Sequence, residues 1–229
     1  MPIAKSKDQL RRDKTMGLLK TVGISGALGM AGGVGGLGAG LAFSKDVVAN
    51  PAAGIEEMLK PHFTSKTMPG IGGSPMGGGI LGAFGANYNP TEHTISTPGN
   101  APSFIGFHEA GHAINVKKMG RLLTHLYMGS RMLSPLSPMY SMFKAWKGED
   151  DKYGPLRSAA VGLPMVAEEG LASWRALEHI KKMKGIAARN RNIPTALGQV
   201  GGYLAGSMIV PALTSYLADK FMNKKKLEG

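Results

Sequence analysis

Residues 107–113 read Phe-His-Glu-Ala-Gly-His-Ala, two histidines four positions apart with a glutamate directly after the first. Whether this stretch is helical decides what the chain can be. Asn100 and Pro102 punctuate the chain upstream, so a helix is expected from about Ser103, with proline near its first position. Gly120 offers a stop just after Lys118. On such a helix residues i and i+4 lie on one face about a turn apart, so the His108 and His112 rings point the same way. Glu109 is rotated by one residue, while Ala110 and Gly111 keep the helix slim beside the pair.

Two imidazoles so placed can converge on one cation at the zinc–nitrogen distance of ~2.0–2.1 Å. The spacing is that of the zinc peptidase pattern His-Glu-x-x-His, which needs a third ligand from elsewhere. The chain has no cysteine, so thiolate ligands, disulfides and a cysteine nucleophile are excluded. No histidine follows at the short metzincin spacing. A carboxylate on a second helix is the remaining common option. Residues 167–174, Ala-Glu-Glu-Gly-Leu-Ala-Ser-Trp, supply Glu168 and Glu169 inside a mostly helical stretch from Arg157 to Lys184. Pro164 is expected to interrupt that stretch one turn before the acidic pair.

At this point the chain resembles the gluzincins, the thermolysin-like clan of zinc metallopeptidases. Glu168-Glu169-Gly170-Leu171-Ala172 is similar to their downstream ligand segment, in which a small residue follows the ligand glutamate by three positions. That register implies His108, His112 and Glu169 as zinc ligands, Ala172 as the small residue and Glu109 as general base, with peptides or proteins as substrates. The stretch "NYNPTEHTIS" (residues 87–96) looks like the edge strand that precedes the active-site helix and aligns a substrate by backbone pairing. The resemblance covers roughly residues 88–180. It departs at Ser173, where thermolysin-like sequences carry an aspartate that orients a histidine. Membrane AAA proteases share His-Glu-Ala-Gly-His, but this chain is too short to include their ATPase module. A donor for the transition-state oxyanion is available by type at His125, Tyr127, Tyr140, Tyr153, His179 and Tyr203, and spacing does not choose among them.

Outside this region the chain changes character. Residues 21–43 carry no charge, and nine of them are glycine, with Gly32, Gly36 and Gly40 four apart. A second uncharged segment, residues 193–218, repeats the pattern at Gly198, Gly202 and Gly206, with Pro194 expected to start its helix and Pro211 to kink it. Both are long enough to span a bilayer. Their small-residue faces suggest packing on each other or on copies of the chain, a homo-oligomer. Glycine-rich residues 69–87 read as a loop without the ending of a phosphate-binding P-loop. The Pro-, Ser- and Met-rich residues 128–156 read as another loop.

The net charge is +12, with basic clusters bordering the apolar segments. That placement suits an anionic membrane surface better than nucleic acid, for which no basic helical stripe is present. If both segments span, both basic ends lie on the cytoplasmic side.

The expected organisation is therefore a basic arm (1–20), an apolar helix (21–43), a zincin-like domain (44–192), a second apolar helix (193–219) and a basic tail (220–229). The expected fold class is α+β and predominantly helical, with a minimal zincin core of a short edge strand, an active-site helix and a ligand-bearing helix. The competing reading is a membrane-active or virion structural protein in which the zinc site is vestigial or only stabilising.

Overall fold

The helix predicted from Ser103 is present and is buried on every side through its first three turns, so its polar residues must find partners inside the protein. A computed structural model of the chain describes residues 6–43, 51–73, 86–97 and 103–223. In chain order the elements are α1 (Lys7–Phe43), α2 (Pro51–Leu59), β1 (Gly70–Gly73), β2 (Asn87–Asn89), β3 (Thr94–Thr97), α3 (Ser103–Leu133), α4 (Leu136–Lys147) and α5 (Gly154–Leu204). A π-helical turn (Ala205–Ile209) and α6 (Val210–Met222) complete them. The described chain is thus predominantly helical with one small sheet, as the α+β expectation has it.

Two interruptions match sequence punctuation. α3 breaks at Gly120 (φ 68°) and α5 at Gly185 (φ 83°), backbone angles that favour glycine. Other expectations are corrected. α5 runs through Pro164 without a break, and the helix after Gly185 already includes residues before Pro194. A proline inside a helix forfeits one hydrogen bond, a loss that packing can offset. Pro211 follows directly on the π-helical turn, so the irregularity expected there precedes it.

The sheet has the order β1-β3-β2, with β1 parallel and β2 antiparallel to β3. The strand before the site helix is therefore central, not an edge, because Gly70–Gly73 pairs on its far side. Those glycines were expected in a loop. Main-chain pairing needs no side chain, so composition hid the strand; residues 74–85 of that loop lie outside the described residues. The supposed loop at 128–156 is mostly helix, comprising the end of α3 and all of α4. Pro135 caps α4, where a missing N–H costs nothing, and Ser137, Ser141 and Ala145 repeat every four residues along its buried face.

The chain divides into two compact units. One comprises Met1–Val34, Leu126–Val166 and Tyr203–Gly229; the other comprises Gly35–His125 and Ala167–Gly202. The core of the second unit joins α2, the sheet, the site helix and α5 through Ile55, Leu59, Ile95, Phe104, Phe107 and Leu177. Burying side chains of this size contributes roughly 1.5–3 kcal/mol each. In the first unit the buried apolar cluster is small, built on Ala145, Ala218 and Met222.

Candidate metal centre

The site lies within the second unit, where the N-terminal half of α3 meets α5. Gly111 makes the approach close. A Cβ there would sit 2.6 Å from the carbonyl oxygen of Ala172. The small residues of the two segments thus face each other, and the helices carry their polar neighbours inward together.

His108 Nε2 lies 3.0 Å from His112 Nε2 and 3.1 Å from Glu169 Oε2, and His112 Nε2 lies 3.4 Å from that same oxygen. The outer ring nitrogens are engaged elsewhere. His112 Nδ1 donates to Glu168 Oε2 at 2.7 Å, and His108 Nδ1 meets Ser173 Oγ at 3.1 Å. With both Nδ1 atoms donating outward, the two Nε2 atoms and the carboxylate oxygen turn three lone pairs toward one point. Only a cation or a shared proton makes that arrangement favourable. All five residues are buried, Glu169 completely. Glu169 Oε1 has no hydrogen-bond partner.

These residues can hold a metal ion. Tetrahedral zinc with bonds of ~2.05 Å needs ligand atoms ~3.3 Å apart, which the observed triangle approaches. Glu109 offers a carboxylate oxygen within 4.8 Å of the two imidazoles. A second buried group, His112 with Glu168 and Glu169, meets the same distance criterion, but Glu168 is occupied by His112 Nδ1 and by Asn115 Nδ2 at 2.9 Å.

The electrostatics follow from these contacts. Burial alone would raise the Glu169 carboxyl, yet with a proton shared between the rings and the carboxylate, hydrogen bonding to His108 and His112 outweighs burial and lowers the pKa to about 2. Burial would likewise lower the His112 pKa, and bonds to Glu168 and then Glu169 reverse this and push it well above 6.5. The cluster is built to hold positive charge between its rings and carboxylates.

The structure brings His108, Glu109, His112 and Glu169 together, residues separated by up to 61 positions. Sequence reasoning missed Glu168 and Asn115 as supports. Asn115 stands one turn after His112 and is 1% exposed; it accepts a bond from Arg175 while donating to Glu168. The available signal was a polar residue inside an otherwise apolar helical run. Among the candidate oxyanion donors, His179 stacks edge-on against Phe107 at 4.7 Å, whereas Tyr140 and Tyr153 pair with Arg157 and Lys152. A cleft of about 620 Å³ is lined by His62, Ile114, Trp174, Arg175 and His179 among others, and neither His108 nor His112 lines it.

The chain matches no protein-family model, no curated protein and no solved structure. Among the described residues, one helical run, Gly154–Met222, is long and apolar enough to cross a membrane. Its longest uncharged stretch includes residues 193–218.

Proposed function

We propose that the chain is a zinc-dependent metallopeptidase of gluzincin type, associated with a membrane through the apolar segments 21–43 and 193–218. The observation that carries this reading is the convergence of three buried acceptor atoms from His108, His112 and Glu169 within 3.4 Å of one another, beside Glu109.

His108, His112 and Glu169 would hold the zinc, leaving a fourth position for water or substrate. When bound, zinc supplies Lewis acidity that polarises a peptide carbonyl and eases deprotonation of water. Glu109 accepts the water proton as general base and delivers it to the leaving amine. Glu168 and Ser173 hold the outer ring nitrogens and so keep both Nε2 atoms directed inward. Peptides or unfolded proteins are the substrate class. With both apolar segments spanning, the basic termini face the cytoplasm.

Glu109→Gln tests the assignment. Zinc content should stay at the wild-type value while cleavage of an unfolded protein falls by at least ~100-fold. Undiminished cleavage in that variant removes the mechanism. Bound zinc with no cleavage by the wild type favours a membrane-active structural protein whose metal only stabilises it.

A further inference from the structure

The first unit has the polarity of a water-soluble bundle reversed. Its helices meet through hydroxyl groups. Ser158 Oγ bonds Ser137 Oγ at 2.9 Å and Ser215 Oγ at 2.7 Å, Thr214 donates to Ser25 at 2.6 Å, and Ser134 donates to the Ser207 carbonyl at 3.1 Å. All of these side chains are buried. Backbones also come close, since a Cβ on Gly162 would lie 2.0 Å from the Ser207 carbonyl oxygen and one on Gly17 2.3 Å from that of Phe221. Of the repeat glycines, Gly206 has open space around it; the surroundings of Gly32, Gly36 and Gly40 lie outside the described residues.

The large apolar side chains point outward instead. Met132 is 73% exposed, Leu156 68%, Leu19 60%, and Leu163 and Ile209 55% each. In water, burying hydroxyls while exposing leucine supplies no drive to associate. In hydrocarbon an apolar exterior carries no penalty, and small-residue packing with interhelical hydroxyl bonds is what holds helices together. Only 17% of the most apolar window in the Gly154–Met222 run is buried, far below what a soluble core helix would show.

The charges give a second, independent observation. Contacts between Lys14 and Trp146, and between Asn223 and Asp150 at 2.9 Å, gather the start of α1 and the ends of α4 and α6 at one end of this unit. There cations lie over aromatic rings, Lys147 over Phe143 at 4.5 Å, Arg157 over Tyr140 at 4.8 Å and Lys220 over Tyr216 at 5.9 Å. Amphipathic rings paired with cations in a collar suit phospholipid headgroups. Beyond the collar, residues 21–34, 132–139, 158–166 and 203–215 carry no charge. The uncharged helical run 203–218 rises ~24 Å, most of the ~30 Å thickness of a bilayer's hydrocarbon core, and its charged end, Asp219 and Lys220, falls at the collar.

We infer that a lipid bilayer surrounds the first unit, with its hydroxyl-lined seam inside and the collar at headgroup level. The lipid-facing surface then includes α4 and the start of α5, well beyond the two glycine-rich segments. This deepens the membrane half of the proposed function and rests on that half alone, not on the metal site.

The cysteine-free chain permits a direct test. Single variants Met132→Cys, Leu163→Cys and Ile209→Cys sit at one level, because Ser134 and Gly162 both meet Ser207. Tyr153→Cys samples the collar, and Lys66→Cys, in the other unit, is the water-exposed reference. Each full-length variant is spin-labelled and reconstituted into phosphatidylcholine–phosphatidylglycerol vesicles. Relaxation by oxygen and by a water-soluble nickel chelate is then measured. The expected result is oxygen access without nickel access at 132, 163 and 209, both reagents at 153, and full nickel access at 66. Nickel access at 132, 163 and 209 equal to that at 66, in protein that floats with the vesicles, overturns the inference and leaves membrane tethering standing. Failure to float removes both. Zinc content and cleavage are read separately and bear on neither outcome.

Discussion

At the scale of single residues, adjacent glutamates take different tasks. Glu169 turns an oxygen to both inner ring nitrogens, whereas Glu168 grips the outer nitrogen of His112. The family register pointed to Glu169 among two candidates, but the role of its neighbour was not legible, because assigning it requires knowing which nitrogen of His112 faces inward. Ser173 stands four residues after Glu169, on the same helical face, and meets His108 Nδ1 at 3.1 Å. Glu168→Gln keeps the shape and removes the charge. It is expected to weaken zinc binding by about 10–100-fold in competition titrations against a chelator, with little change in secondary structure. Unchanged affinity would show that Glu168 does not support the ligand.

At the scale of elements, the pairing of the two site helices depends on missing side-chain volume. Gly111→Ala places a methyl group 2.6 Å from a backbone oxygen that has no rotamer with which to yield. The expected cost is about 1–3 kcal/mol in denaturant unfolding, together with weaker zinc binding; an unchanged unfolding midpoint would contradict the close packing. A second linkage ties the loop after α4 to the start of α5. Arg157 donates to both oxygens of Asp151, at 3.1 and 2.8 Å, and with Ser141 holds this carboxyl below its ordinary value of 3.8 against the opposing effect of burial. A depressed carboxyl stabilises the fold above pH ~3.8, and that contribution is lost as pH falls through the lower folded value. Thermal unfolding in detergent should therefore lose stability on acidification below pH ~4, and Asp151→Asn should flatten that acid-side slope while costing about 2 kcal/mol near neutrality, reduced by the partial exposure of Arg157. An equally steep acid slope in the variant would assign it to other groups.

At the scale of the whole molecule, the parts that carried local chemical signals were legible and the parts defined by tertiary setting were not. The helix from Ser103 and its stop at Gly120 follow from punctuation, and the helical stretch read as far as Lys184 does break at the next residue, Gly185. β1 was hidden because Gly70–Gly73 pairs only through its main chain, and α4 because proline and serine read as loop residues until their neighbours are known. The first unit was the hardest to read, since its buried serines and exposed leucines contradict the usual pattern of a core in water. The proposed hydrolysis depends on Glu169 joining the two histidines across 61 positions of sequence. The most direct measurement is zinc stoichiometry, by elemental analysis after dialysis, of the purified wild type beside folded Glu169→Ala. One zinc per chain in the wild type and loss of most of it in the variant is the predicted result. Absence of zinc from the wild type, or full retention by Glu169→Ala, would contradict the account.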